Sequence, residues 1–179
     1  MQLYQKIIHE LSKIFHWLSV NKLSLNISKT KYMLFRFSQR PPDSIPKLDL
    51  NINGTCISKT STFNFLGIEI DDTLSWKSHI TKVSNKISTT IGIMKKLHRF
   101  LPSKILLILY NSLISPHLHY GILAWGYFDT RIFKLQKRCV RIIDKSKYNA
   151  HTEPLFKKYS ILKLCDLLQQ KALIFTTNT

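Results

Sequence analysis

Acidic residues are what this 179-residue chain most obviously lacks: 10 Asp plus Glu stand against 27 Lys plus Arg, for a formal net charge of +17. None of them falls between Thr73 and Phe128. Such an imbalance favours a polyanionic partner, through counterion release from phosphates and long-range steering. Glycine is scarce too, at 5 residues, with 6 prolines. No GxGxxG or GK[ST] occurs, and Gly121 and Gly126 stand alone, so there is no Gly-rich phosphate loop. Cys56, Cys139 and Cys165 are odd in number, far apart and without a CxxC, which supports neither a disulfide framework nor a zinc site. They are expected to be small buried residues in a reducing compartment. No secretory leader opens the chain, because Lys6, His9, Glu10 and Lys13 interrupt its apolar residues. The most apolar stretch, Ile105 to Trp125, is broken by Asn111, Ser112, Ser115, Pro116, His117 and His119, which suits buried helices and not a membrane span. Ser, Cys and His form no nucleophile pattern, and there is neither an internal repeat nor a low-complexity segment.

What is present is enough for a folded body. Hydrophobic residues make up 44%, sufficient to bury a core. Residues 2 to 20 carry an apolar stripe of Leu3, Tyr4, Ile7, Ile8, Leu11, Ile14, Phe15 and Leu18, the spacing of an amphipathic helix. This helix has no cap before it, as expected of a fragment cut from something longer. A polar connection, 21 to 29, leads to Lys31–Phe37, which reads as a buried strand. Pro41, Pro42 and Pro46 end it. Leu48–Ile52 and Thr55–Ser58 flank Asn53-Gly54, the strongest short hairpin signal available. Phe63 to Ile70 reads as one further strand, with Gly67 marking a bulge or a close backbone approach.

From Leu74 onward the pattern is helical throughout, and a domain boundary is expected there: 1–73 strand-rich, 74–179 all-helical. Trp76, Ile80, Val83, Ile87, Ile91, Met94 and Leu97 recur at three and four. Leu101-Pro102-Ser103 breaks the pattern, with Ser103 as the expected cap of a helix over 104–114. Pro116 restarts the chain into one more helical segment over 117–125. Thr130 to Asp144 predicts an amphipathic helix with Ile132, Leu135, Val140 and Ile143 inside, and two short helices over 154–159 and 163–175 close the chain. The cations fall in two clusters. One holds Lys77, Lys82, Lys86, Lys95, Lys96, Arg99 and Lys104; the other holds Arg131, Lys134, Lys137, Arg138, Arg141, Lys145 and Lys147.

Catalytic chemistry is harder to place. Asp71 and Asp72 are adjacent carboxylates at the end of a strand, a pattern that can hold two magnesium ions. Thr73 and Ser75 follow and a helix begins at once, so a turn and helix cap is the preferred expectation. Two-metal chemistry would also need a third carboxylate, and Glu10, Asp43 and Asp49 are the few upstream candidates. His117 and His119 are two apart and would diverge on a helix.

Six ordered blocks give the chain a family resemblance: WLSVNKLSLNISKTKYMLF (17–35), FNFLGIEIDDTLSWKSHI (63–80), KISTTIGIMKKLHRFLP (86–102), LLILYNSLISPHLHYGILAWG (106–126), LQKRCVRII (135–143) and HTEPLFKKYSILKLCDL (151–167). Together they resemble the reverse transcriptase, the RNA-directed DNA polymerase, of jockey-like non-LTR (LINE) retrotransposons. The resemblance implies an α+β fold: the trailing edge of a polymerase palm, one helix plus a small antiparallel sheet or hairpin, followed by an all-helical thumb-like bundle. In that family the first helix follows the catalytic hairpin bearing Tyr-Ala-Asp-Asp, a tetrapeptide absent from this sequence.

By that resemblance Lys29 matches a lysine near the incoming nucleotide, with an exposed turn lysine as the preferred alternative. Phe65, Leu66 and Gly67 look like the primer grip, a hairpin that holds the primer backbone. Lys77, Lys82, Lys86, Lys95, Lys96 and Arg99 would contact the phosphates of an RNA–DNA or DNA duplex without reading sequence. No catalytic residue and no metal ligand is expected in this chain, and no cofactor bound by it; magnesium belongs to the full-length family enzyme. No small-molecule substrate and no membrane is expected, and the missing palm and fingers are a further candidate partner. The setting is intracellular, with nucleus or cytoplasm left open. The implied function is a truncated polymerase that keeps its template–primer binding elements; the alternatives are a non-catalytic basic nucleic-acid-binding module and a gene fragment without function.

Overall fold

A computed structural model describes residues 2–41, 48–52, 55–127 and 130–177. The Asn53-Gly54 turn, Pro42, Asp43, Pro46 and the side chain of Leu3 lie outside what is described. The fold is α+β and divides into two compact units, Met1–Ser75 and Trp76–Thr179.

In the first unit, helix α1 spans Gln2–Val20. Tyr4, Ile7, Leu11 and Phe15 pack on a small core whose buried hydrophobics are Leu50 and Ile57. The expected stripe is narrower than its spacing suggested, since Ile8 and Ile14 stand exposed. The helix closes in a Schellman motif: Leu23 N–H donates to Leu18 O, Lys22 N–H to Ser19 O, and Lys22 takes a φ of 54°. The strands are short. β1 (Lys31–Tyr32) pairs parallel with β4 (Ser58–Lys59), and β2 (Asn51–Ile52) pairs antiparallel with β3 (Thr55–Cys56). The Tyr32 hydroxyl donates to Leu48 O at 2.7 Å and accepts from Leu48 N–H at 3.2 Å, tying β1 to the approach to β2.

Three expectations for this unit are corrected. The buried strand over 31–37 is a two-residue strand followed by irregular chain, with Phe35 62% and Phe37 81% exposed. Proline at 41 and the parallel partnership with only Ser58–Lys59 leave nothing to extend the ladder. The single strand over 63–70 is a hairpin. β5 (Thr62–Phe65) turns into antiparallel β6 (Ile68–Asp71) with Phe65 opposite Ile68. Leu66 and Gly67 form the two-residue turn at φ 49° and 84°, the type I′ pattern that the twist of a tight hairpin favours. The helix that follows takes Trp76 as its N-cap residue, five positions beyond Asp71. The Asp71 Oδ1 accepts from the backbone and hydroxyl of Thr73 (3.1 and 2.6 Å) and from Ser75 N–H (2.9 Å), so it organises the loop leaving β6.

The second unit is helical. α2 spans Lys77–Leu97, α3 Ser103–Leu113, α4 Ser115–His119, α5 Ile122–Trp125, α6 Arg131–Asp144, α7 Glu153–Lys158 and α8 Leu164–Thr177. α2 buries Ile80, Val83, Ile87, Ile91 and Met94 against α6 and α3, whose inward residues include Leu106, Tyr110, Ile132, Val140 and Ile143. Leu97, expected inside, is exposed. α3 begins at Ser103 itself, after Pro102, which needs no N–H there. The expected segment over 117–125 is two short helices, because Gly121 at φ 63° breaks the run between them. α6 and α7 end like α1, with Lys145 and Ser160 at φ 58° and 52° in Schellman motifs. Glycine usually takes that position; a chain with 5 glycines fills it with lysine and serine. Of the cysteines only Cys139 is buried, where burial pushes its thiol up to about 12; Cys56 and Cys165 are exposed. Among the described residues no helix is long and apolar enough to cross a membrane.

Candidate nucleic-acid interface

The longest helix carries the first basic cluster on its solvent half. Lys77, Lys82, Lys86, Lys95, Lys96 and Arg99 are all exposed. At about 100° per residue, Lys77 and Lys95 share a line, Lys82 and Lys86 lie well round from it, and Lys96 falls between. The five lysines therefore spread over the whole face opposite the Ile80–Met94 stripe. From Lys77 to Lys96 the charges extend ~29 Å along the axis at 1.5 Å per residue. Among the described residues no carboxylate pairs with Lys86, Lys95, Lys96 or Arg99, a consequence of the acid-free stretch around them.

Packing of α2 on α6 brings the second cluster to one end of the first. A cleft of about 500 Å³ is lined by Lys95 and His98 from the end of α2 and by Lys134, Arg138, Arg141 and Lys145 from α6 and its cap, with Tyr148 from the loop beyond. These cations are separated by some forty positions in sequence and meet only because the apolar stripes of the two helices face each other. Asp144 and Glu153 are engaged elsewhere. Asp144 accepts from Lys158 Nζ at 2.6 Å and Tyr159 Oη at 3.0 Å, and Lys158 holds its carboxyl below the usual range. Glu153 pairs with Lys163 at 2.7 Å, which lowers its carboxyl in the same way. Lys137 leaves the cleft and sits over the Phe133 ring, 4.4 Å from its centroid.

Behind the cleft lies a side chain that the pattern reading passed over. Gln136 is 1% exposed, with Nε2 donating to Tyr110 Oη and Leu162 O (both 2.9 Å) and Oε1 accepting from Leu164 N–H (3.0 Å). One buried amide thus fastens α6 to α3 and to the start of α8. Burial pushes the Tyr110 phenol up to about 12, keeping it a neutral partner. The signal was there: Gln136 falls four residues after Ile132 and four before Val140, in register with the inward stripe.

In the first unit Lys29 is exposed on a turn organised by Asn26, whose Oδ1 accepts from Lys29 N–H at 3.1 Å. Phe65 and Leu66 stand 57% and 75% exposed at the β5–β6 turn, which Gly67 completes. No hydrogen bond or ion pair among the described residues joins Lys29 to that turn. Asp72 pairs through Oδ2 with Arg36 Nε at 2.8 Å, while the Arg36 N–H donates to Asp72 O, also at 2.8 Å. Asp71 thus holds its loop and Asp72 holds Arg36. Among the described residues no three of His, Cys, Asp and Glu come together in a metal-binding group.

Two curated relatives are similar to the chain. The RNA-directed DNA polymerase from mobile element jockey of Drosophila melanogaster is 26% identical over 132 residues, 69% of this chain and 14% of that protein. Its counterpart from Drosophila funebris is 24% identical over 165 residues, 87% of this chain and 17% of that protein. The chain thus spans less than a fifth of the length of the relatives it matches. No protein-family model and no solved structure matches it. The similarity establishes a relationship to jockey-like reverse transcriptases, the family to which the six sequence blocks pointed.

Proposed function

We propose that this chain is a nucleic-acid-holding part of a jockey-like reverse transcriptase, with palm trailing edge in residues 1–73 and thumb and C-terminal extension in 74–179. The observation that carries this is the solvent face of α2, where Lys86, Lys95 and Lys96 stand exposed with no carboxylate paired to them among the described residues. A charged face of ~29 Å is a little under one duplex turn of about 34 Å. It suits an RNA–DNA or DNA duplex held through phosphates, which positions the duplex without reading its sequence.

The β5–β6 turn supports a supplementary contact. Leu66 and Gly67 bring the backbone to a narrow, exposed edge, the shape that close approach to a primer strand requires. Lys29, on its exposed turn, is the nucleotide-proximal candidate. The exposed aromatics Phe35 and Phe37 favour the palm and fingers of the polymerase as the first unit's partner. The 179 residues contain no Tyr-Ala-Asp-Asp, and Asp71 and Asp72 are occupied as hydrogen-bond acceptors. Alone, the protein therefore binds template–primer and does not extend it, with magnesium serving the full-length enzyme.

Primer extension with pure protein and magnesium, run beside binding to an RNA–DNA hybrid, tests both halves. The expected outcome is hybrid binding without product. Template-dependent product, or no binding at low salt, would overturn the proposal.

A further inference from the structure

We propose that the cleft between the end of α2 and α6 is a subsite for single-stranded nucleic acid, distinct from the duplex-holding face of α2. This rests on the basic surface being a nucleic-acid interface and adds which form of strand one part of it takes.

Three features distinguish the cleft from the open α2 face. It is concave, at about 500 Å³, a volume that admits a nucleotide or two but not the width of a duplex. Its cations come from opposite walls: Lys95 from α2, and Lys134, Arg138, Arg141 and Lys145 from α6 and its cap. The ends of α2 and α6 bring roughly half a negative charge each, and five full positive charges outweigh them. Guanidinium groups are the more weakly hydrated cations and fork onto phosphate oxygens, so Arg138 and Arg141 suit a backbone entering a recess.

The third feature is aromatic. Tyr148 is 89% exposed, the most exposed of the large hydrophobic side chains among the described residues, yet it stands on a braced loop. Arg141 Nε donates to Ala150 O at 2.9 Å, Ala150 N–H to Lys147 O at 3.0 Å, and Ser146 N–H to Arg141 O at 3.1 Å. The loop is thus tied to α6 at both ends, with Tyr148 held at the cleft. A phenol ring beside a phosphate-binding channel is a stacking platform, which an unpaired base can reach and a paired base cannot. His98 adds a polar group: its Nδ1 lies 2.5 Å from Lys95 O and donates to it, which leaves Nε2 for a polar atom of the strand.

Fluorescence anisotropy on the full 179-residue chain tests the subsite. The probes are labelled oligo-dT and oligo-U of about eight nucleotides and a blunt RNA–DNA hybrid, titrated at roughly 50 to 200 mM salt. Tyr148→Ala should weaken single-strand binding about ten-fold, Tyr148→Phe should restore it, and neither should move hybrid binding. Lys134→Gln with Arg138→Gln should flatten the single-strand salt slope by about 1.4. Lys82→Gln with Lys86→Gln should weaken the hybrid alone. Circular dichroism checks that each variant folds.

If Tyr148→Ala changes neither ligand, or both equally, the subsite does not exist. If a mononucleotide competes as well as an oligonucleotide, the cleft is a nucleotide pocket and the strand proposal falls. If the hybrid fails to bind while single strands bind through Tyr148, the duplex reading falls and the subsite stands. If nothing binds, both fall. Comparing oligo-dT with oligo-U separates DNA from RNA as the source.

Discussion

The two units solve the same problem with unequal means. In Trp76–Thr179, side chains from α2 through α8 converge on one core that includes Ile87, Met94, Leu106, Trp125 and Val140, each at 1% exposure or less. In Met1–Ser75 the buried hydrophobics among the described residues are Leu50 and Ile57, and the order comes from polar ties such as Tyr32 on Leu48 and Arg36 on Asp72. A helix satisfies its backbone internally and needs only one apolar stripe, whereas two-residue strands leave most edge groups to others. Hydrogen exchange should show this directly, with α2 and α6 amides far slower than those of β1 to β4.

The largest single effect should come from the buried amide of the helical unit. Gln136→Ala removes three hydrogen bonds and opens a cavity, and should cost about 3 kcal/mol in chemical unfolding. Tyr110→Phe, which deletes only one partner, should cost about 1 kcal/mol. A Gln136→Ala loss below ~1 kcal/mol would mean that the helices are held by apolar packing alone.

In the first unit the counterpart is the Arg36–Asp72 pair, whose side chains are 14% and 17% exposed. Arg36→Ala leaves a half-buried carboxylate beside the loop that Asp71 organises. It should cost about 2 kcal/mol and speed exchange over 58–75 without slowing or speeding α6. An equal change in α6 would erase the contrast between the units.

The smallest effect has the opposite sign. Ser160 and Lys145 hold left-handed C-cap positions that suit glycine, so Ser160→Gly and Lys145→Gly should each stabilise by about 0.5 kcal/mol in thermal unfolding. Destabilisation by either would show that the side chain contributes more than its backbone strain.

The same contrast governs what the residues disclosed on their own. α2 and α6 are legible because burial repeats at three and four over many turns; even Gln136 was in register, hidden only by its polarity. The first unit's elements are too short for periodicity to speak. Leu66-Gly67 reads as strand interior because leucine rarely accepts a positive φ, so Gly67 signals only a bulge or a close approach inside TFNFLGIEID. Asp71 looked like a helix cap because capping and loop-organising aspartates have the same neighbours, Thr and Ser, and differ only in where the helix starts. The cleft was illegible for another reason: its two walls are distant in sequence, and only packing makes two charge clusters into one site.

The central claim is that α2 holds a duplex by its phosphates, and the salt dependence of RNA–DNA hybrid binding tests it most directly. Each neutralised phosphate contributes about 0.9 to the slope of log affinity against log salt. The account predicts a steep slope for the wild-type chain that Lys82→Gln with Lys86→Gln reduces by about 1.8. An unchanged slope in that double variant would contradict it.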